Sequence, residues 1–139
     1  EGTIPAFSQP TRKQIQSDIR QLSENIAESF GGHAEVRFRD NTSPLINDEE
    51  ATRLAQKVGY DLVGKENVIV SRRASLTGDD MAEFIRTVPG CYVYVGTGND
   101  HIPETVAAQH NDHYDIDEDA LKTFVYLHCA YALEYLNGD

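Results

Sequence analysis

The stretch that decides the fold is DEDALKTFVYLHCAYALEYL, residues 117–136, near the end of a chain of 139 residues. Its periodicity predicts a helix, but the apolar residues do not keep to one stripe. They cover nearly the whole circumference: Leu121, Phe124, Val125, Leu127, Cys129, Ala130, Ala132, Leu133, Tyr135 and Leu136. A helix that is apolar all round needs protein all round. The rest of the chain would have to supply that cover.

The residues before this helix predict an α/β fold, because helical and strand patterns follow one another. AEVRFR (34–39) alternates apolar and polar residues, as a half-buried strand does. CYVYV (91–95) is apolar on both faces, which is typical of a strand in the middle of a covered sheet. An amphipathic stripe that ends at Gly31-Gly32 predicts the first helix: Ile15, Ile19, Leu22, Ile26 and Phe30.

Two further helices are predicted from capping patterns. Asn47 with Glu50, and Thr77 with Asp80, have the spacing of a capping box, in which two side chains satisfy the free N–H groups of the first turn. Apolar stripes follow both pairs: Ala51, Leu54, Ala55, Val58 and Leu62 after the first, and Met81, Phe84, Ile85 and Val88 after the second. The second stripe is predicted to pack inward.

The number of strands after residue 45 is too small for the helices that they would cover. The chain offers two or three there, among them VIV (68–70), which reads as a short buried strand. Sheets of such folds have about five strands. Residues 45–139 are therefore predicted to be the end of a larger α/β domain, and the helix at 117–136 should then either expose an apolar patch or be covered by a second copy of the chain. A first residue other than Met points to a fragment or a processed product.

The composition excludes several classes of partner. Twelve Lys+Arg against 23 Asp+Glu give a net charge of −11, whereas nucleic acids and anionic membranes favour clustered basic residues. No apolar run approaches the roughly 18–20 residues of a membrane span. Cys91 and Cys129 lie far apart within apolar stretches, and we expect free, buried thiols rather than a disulfide, as in the reducing cytoplasm.

AAQHNDHYDIDED, residues 107–119, contains two histidines and five acids. The acids at its end suit the start of a helix, with Asp117 as the predicted N-cap, because carboxylates satisfy free N–H groups and the helix dipole there. The histidines suit a divalent metal such as zinc. A lone histidine in an acidic loop is more often solvated than a ligand, so these residues alone leave the metal site open.

Four stretches in a fixed order resemble the C-terminal end of the M20 family of metal-dependent amidohydrolases, the relatives of aminoacylases, hippurate hydrolases and auxin-conjugate hydrolases. They are EGTI (1–4), LTGDDMAEFI (76–85), VPGCYVYVGTGN (88–99) and QHNDHYDIDEDAL (109–121). The resemblance implies the C-terminal part of a two-domain enzyme. Residues 1–44 would be the second half of an open-sheet α/β lid, and residues 45–139 the last strands and helices of the catalytic α/β sandwich.

The resemblance also implies a reaction and a metal. Members hydrolyse the amide of N-acyl amino acids or related small conjugates with a pair of divalent ions, Zn, Mn or Co. The motif's metal-ligating histidine falls on His110, whereas His113 stands where the family has no ligand. Gly96 and Gly98 would line the substrate pocket. Three carboxylates are candidates for supporting a ligand, although the first two also suit a helix cap: Asp79, Asp80 and Asp112.

The family's other metal ligands and its general base lie upstream of the lid. The resemblance therefore implies no catalytic residue in this chain, which should be inactive alone and complete its site with the missing N-terminal half. An open lid sheet also invites pairing, so a homodimer through residues 1–40 is expected. The alternative is a non-enzymatic, acidic α/β interaction module that oligomerises through the same sheet edge.

Overall fold

The computed structural model describes residues 2–39, 42–71 and 73–138, so Glu1 of the EGTI stretch lies outside it. These residues form four α-helices: α1 (Gln9–Ser29), α2 (Glu49–Val63), α3 (Met81–Ile85) and α4 (Ala120–Asn137). Short 3₁₀ turns lie at Lys65–Asn67 and Pro103–Val106. The chain divides into two compact units, one of residues 1–46 and 73–89 and the other of residues 47–72 and 90–139.

α1 begins and ends where local chemistry dictates. The Ser8 hydroxyl accepts a hydrogen bond from the Thr11 N–H, and Pro10 occupies the first turn, where its missing N–H costs nothing. Gly31, at φ 74°, ends the helix as predicted. The predicted apolar stripe lies on α1, but no α1 residue is buried, and Phe30 just beyond it is 87% exposed.

α2 is capped by Asp48, so the predicted capping box of Asn47 and Glu50 is wrong. The Asp48 carboxylate accepts from the Ala51 N–H at 2.9 Å. The Asn47 side chain is already engaged, because its amide donates to the Tyr92 carbonyl at 3.0 Å and accepts from the Tyr92 N–H at 2.9 Å. α2 buries three residues, Ala51, Val58 and Gly59.

The first unit is organised around Ser43, which is buried. Its N–H donates to Glu83 Oε1 at 2.7 Å, and its hydroxyl accepts from Arg86 at 3.0 Å. Gln9 Nε2 donates to the same hydroxyl at 3.3 Å. Ala82 of α3, 1% exposed, is buried in the same unit. Polar bonds therefore join three separate stretches of sequence here, with little apolar core beside them.

α3 is shorter than its pattern suggested. The pair Thr77 and Asp80 does not form a capping box, because the helix begins at Met81 and the Asp79 carboxylate accepts from the Met81 N–H at 2.9 Å. Asp80 occupies the N-cap position without a side-chain cap bond. The prediction that the stripe packs inward is wrong for Phe84 and Val88, which are 66% and 65% exposed.

The predicted sheet is not confirmed. Within the described ranges the β-pairing is a single bridge between Asn99 and Ile102. The stretch at 68–70 is not buried, since Ile69 is 83% exposed, and Tyr94 in the stretch at 91–95 is 54% exposed. The α/β sheet therefore stays a prediction.

α4 is the helix predicted from residues 117–136, shifted to Ala120–Asn137 and followed by Gly138 at φ 74°. One side contacts α2, where Lys57 Nζ lies 2.8 Å from Glu134 Oε2. No α4 residue is buried, which confirms the expected exposed apolar patch. Its large exposed residues are Leu121, Val125, Tyr126, Leu133, Tyr135 and Leu136. None of the described helices is both long and apolar enough for a membrane span.

Candidate metal-ligand loop

His110 has an unusual backbone. Of the residues that the structure describes, it is the one non-glycine residue with a positive φ, 62°. Histidine tolerates this region better than most residues, but the conformation is still uncommon. A tight turn follows directly, in which Asn111 Oδ1 accepts from the His113 N–H at 2.9 Å and the Asn111 carbonyl accepts from the Tyr114 N–H at 3.0 Å. The side chain of His110 is exposed.

The two candidate residues nearest to His110 in the sequence, Asp112 and His113, are both exposed. His113 Nε2 lies 3.8 Å from Asp112 Oδ1, and both side chains are more than four-fifths exposed, at 84% and 88%. Asp79 and Asp80 belong to the first unit, whereas His110 belongs to the second. The described residues contain no group of three or more His, Cys, Asp or Glu that could hold a metal ion. The donor set fits one imidazole ligand of a site, not a complete metal centre.

The loop that carries His110 is closed by polar side chains. Asn99 Nδ2 donates to Asp117 Oδ2 at 2.7 Å, and the Asp117 N–H donates to the Thr97 carbonyl at 3.0 Å. Thr105 is 4% exposed, and its hydroxyl accepts from the Asn99 N–H at 2.8 Å. The same hydroxyl donates to the Ile102 carbonyl at 2.7 Å. The two ends of the loop are thus joined by direct hydrogen bonds.

Asp117 precedes α4 rather than capping it, so the predicted N-cap is wrong by two positions: the N-cap is Asp119. Asp117 still satisfies N–H groups at the helix start, since Oδ1 accepts from the Asp119 N–H at 3.0 Å and its carbonyl from the Ala120 N–H at 3.0 Å. The hydrogen bond from Asn99, followed by that from Asp119, lowers the pKa of Asp117. Its second carboxylate oxygen is held by Asn99, which a simple cap would not require.

Comparison with known proteins places the chain in a family. A family model described as peptidase family M20/M25/M40 matches residues 3–134. The chain belongs to this family. The M20 resemblance of the sequence motifs is thereby confirmed.

Several curated proteins are similar to this M20/M25/M40 chain. Thermostable carboxypeptidase 2 of Saccharolobus solfataricus is 25% identical over 138 residues, which are 99% of this chain and 34% of that protein. N-acetyl-L-cysteine deacetylase of Bacillus subtilis is 29% identical over 121 residues, or 87% of this chain and 27% of that protein. IAA-amino acid hydrolase ILR1-like 6 of Arabidopsis thaliana is 26% identical over 140 residues, or 98% and 30%.

The chain spans about a third of the length of the curated relatives that it matches, as with the 34% covered in the carboxypeptidase. No solved structure matches it significantly. The family assignment therefore rests on sequence, and the activity of a whole family member does not pass directly to this chain.

Gly96 and Gly98 flank Thr97 at the start of the loop in this M20/M25/M40 chain. A side chain at Gly96 would meet nothing within 4 Å, and one at Gly98 would meet the Thr105 carbonyl at an ordinary 3.6 Å. The described contacts of the chain therefore do not require glycine at either position. Small residues that the fold itself does not need are compatible with the close approach of another molecule to the backbone.

Both cysteines of this M20/M25/M40 chain are free. Cys91 is half-buried, and burial raises the pKa of its thiol, an effect that the Thr52 hydroxyl partly opposes. Cys129 is exposed, so the prediction that both thiols are buried is wrong for that residue. A thiol whose pKa is raised is a poor nucleophile at neutral pH.

Sequence reasoning missed Asn99 and Thr105. In the sequence, Asn99 is the last residue of the stretch VPGCYVYVGTGN, and Thr105 lies in the stretch PETV, which has no motif. An exposure of only 4% for a hydroxyl residue in a polar loop marks Thr105 as a hydrogen-bonded anchor. The hydrogen-bond partners of Thr105 lie in the same loop but have no fixed sequence spacing, so no pattern in the sequence predicts them.

Proposed function

We propose that this chain is the C-terminal part of a metal-dependent amidohydrolase that cleaves the amide of N-acyl amino acids or related small conjugates. The observation that carries the proposal is the family match over residues 3–134. The similarity to an N-acetyl-L-cysteine deacetylase and to an IAA-amino acid hydrolase supports the substrate class. His110 supports the metal, because its strained backbone is the kind of outlier that clusters at functional sites.

In this proposal His110 binds one divalent ion, Zn, Mn or Co, through its neutral imidazole. A bound pair of such ions supplies polarisation of the amide carbonyl and a more acidic water. Gly96 and Gly98 let the backbone of the loop approach the substrate. Asp112 is placed near enough in sequence to orient a ligand. Asp79 and Asp80 are less suited to orienting a ligand, since the Asp79 carboxylate already accepts a hydrogen bond from the Met81 N–H at the start of α3.

The rest of the site lies outside this chain in our proposal. Residues 1–44 are half of a lid, residues 45–139 are the end of the catalytic domain, and the preceding half of a cytoplasmic enzyme supplies the general base and the other ligands. The apolar surface of α4, where Leu133 is 62% exposed and Leu136 78% exposed, would be covered by that half. The 139-residue chain alone should then hydrolyse no N-acyl amino acid.

The central experiment compares His110→Ala with His113→Ala in the complete enzyme supplied with metal. Loss of a metal ligand should lower kcat/KM by about 10²-fold or more, since loss of groups that merely support a ligand costs about 10–100-fold. His113→Ala is the matched control in the same loop, and its effect should be small. Near-normal turnover of His110→Ala would show that the ligand is misassigned, and amidase activity of the 139-residue chain alone would show that its site is complete.

The second candidate is a non-enzymatic, acidic interaction module. The exposed stripe on α1 favours association, because Leu22 and Ile26 are each 59% exposed and Phe30 is 87% exposed. The same stripe would serve the lid-mediated homodimer of the enzyme, so association alone does not separate the two functions. Activity of the longest polypeptide that the gene encodes separates them.

Association through residues 1–40 is tested by light scattering of the purified chain. The double variant Leu22→Glu, Ile26→Glu should convert a dimer to a monomer, because it places charges on the stripe. Gln21→Glu, on the same helix, is the matched control and should leave the mass unchanged. A wild-type chain that stays monomeric at high concentration would contradict both the lid dimer and the module.

A further inference from the structure

The segment from Asn99 to Asp117 is closed at its base by a side-chain bridge. The 2.7 Å bond from Asn99 Nδ2 to Asp117 Oδ2 joins the first residue of the segment to the last. Each of the two side chains makes a second hydrogen bond. Asn99 Oδ1 accepts from the His101 N–H at 3.0 Å, and Asp117 Oδ1 accepts from the Asp119 N–H at 3.0 Å. Neither side chain can therefore rotate away without losing a second bond.

Thr105 fixes the half of the segment that precedes His110. Its side chain is buried, and its hydroxyl is bonded to both the Asn99 N–H and the Ile102 carbonyl. The Thr105 N–H donates to the same Ile102 carbonyl at 3.0 Å, so the turn is closed by backbone and side chain together. Buried hydroxyls that satisfy both roles are costly to replace, because an apolar substitute leaves a backbone N–H without a partner.

His110 lies inside the closed segment, in a conformation that a free loop would rarely hold. A positive φ at a non-glycine residue persists only where the surroundings impose it. The turn formed by Asn111 fixes the residues after His110, and the bonds of Asn99, Thr105 and Asp117 fix the frame on which both stand. Fixing the backbone of a ligating residue before its ligand arrives removes part of the entropic cost of binding.

We infer that Asn99, Thr105 and Asp117 form a clamp that positions His110, and that loosening the clamp weakens metal binding through that histidine. The inference about metal rests on the proposed function, in which His110 is a ligand. The three clamp residues are positioning residues, since the inference requires none of them to contact the metal or the substrate.

The first test measures the affinity of the complete enzyme for Zn²⁺ alone, by competition with a chromophoric chelator. Asn99→Ala and Thr105→Val should each weaken binding by about tenfold, the size of effect seen when supporting groups of a ligand are lost. In the background of His110→Ala the same changes should have no further effect. Asp100→Asn, an exposed residue of the same segment, is the control and should leave the affinity unchanged.

The second test follows amide hydrogen exchange of the metal-free enzyme. Thr105→Val should speed exchange at residues 106–114 and leave residues 120–137 of α4 unchanged. Unchanged exchange at 106–114 overturns the clamp, whatever the zinc result. Equal loss of zinc affinity with and without His110 also overturns it, because a general structural defect acts in both backgrounds. Unchanged zinc affinity of His110→Ala overturns the proposed ligand instead, and the exchange result then decides the clamp alone.

Discussion

α2 and α4 contact each other in the second unit, yet they differ in what they bury. α2 is amphipathic, has a side-chain cap from Asp48, and buries residues such as Val58, which is 3% exposed. α4 is apolar nearly all round, has no side-chain cap bond, and buries nothing within the described residues. The contact between the two helices thus covers the apolar face of α2, whereas it leaves most of the apolar surface of α4 exposed.

The difference shows that the apolar pattern of a helix indicates how many packing partners the helix needs. An amphipathic helix needs one, and α2 has it in α4. An all-round apolar helix needs several, and α4 has one helix packed against it. The stability of α2 is therefore set inside this unit, whereas that of α4 should respond to whatever else packs on it.

The largest expected effect separates a covered position from an uncovered one. In the 139-residue chain, Val58→Asp should lower the free energy of unfolding by about 3 kcal/mol or more, because it buries an unpaired charge. Val125→Asp, at a site 62% exposed, should cost less than about 1 kcal/mol, mostly through helix propensity. Urea unfolding measures both. If Val125→Asp were as damaging as Val58→Asp in this chain, the contrast between the helices would not hold.

The same two variants sharpen the contrast when they are made in the complete enzyme. There the proposed cover lies over α4, so Val125→Asp should become strongly destabilising while the effect of Val58→Asp stays the same. Equal effects of Val125→Asp in chain and enzyme would mean that α4 stays exposed in both.

The next effect concerns the two helix starts. Asp48→Ala removes the bond to the Ala51 N–H and should destabilise the chain by about 1 kcal/mol. Asp119→Ala removes the N-cap side chain of α4, which makes no cap bond and pairs with the exposed Lys122 at 2.7 Å, so a few tenths of a kcal/mol are expected. Thermal unfolding of the two variants side by side checks the order, and a reversed order would contradict the assignment of the caps.

A smaller effect is expected at His110. Because φ is 62°, His110→Gly should be more stable than His110→Ala by about 0.5–1 kcal/mol, the usual size of the glycine advantage at such a position. Both variants lack the imidazole, so both should lose the metal ligand equally. Denaturant unfolding of the metal-free protein provides the comparison. An alanine variant at least as stable as the glycine variant would argue that the positive φ is not imposed by the loop.

The smallest effect is the response to acid. Hydrogen bonds lower the pKa of Asp117, chiefly through Asn99, and that of Glu83, chiefly through Ser43. A lowered folded-state pKa means that the stabilisation is complete above the ordinary pKa of about 4 and is lost as the pH falls through the folded value. The urea concentration at the midpoint of unfolding should therefore decrease as the pH is lowered below about 4. Asp117→Asn should flatten part of that fall, whereas Asp100→Asn should leave it unchanged.

Much of the helical structure could be predicted from the sequence, because helix patterns are local. Gly31 ends α1 as expected, and the residues of α4 form a helix within three positions of the predicted start, Ala120 against residue 117. The caps were harder. Adjacent residues such as Asn47 and Asp48 both suit an N-cap, and the choice is made by Tyr92, a residue remote in sequence whose backbone engages Asn47.

The sheet and the site were harder still, because both depend on partners that lie far apart in the sequence. An alternating stretch such as 34–39 shows that a strand would have one wet face, but not what would pair with it. His110 is a candidate ligand by resemblance rather than by its own surroundings, and the structure adds its φ and the bonds of Asn99 and Thr105. Hydrogen-bond partners of this kind leave no periodic trace in a sequence.

The side chain of Asn47 also limits how a sheet can grow in the second unit. By bonding both the N–H and the carbonyl of Tyr92, it occupies the place that a neighbouring strand would take. In a strand, the N–H and C=O of one residue point to the same edge and those of its neighbours to the other. Should residues 91–95 join the predicted sheet, their partner strand would bond to the N–H and C=O groups of Cys91 and Val93, because the Asn47 amide already bonds those of Tyr92.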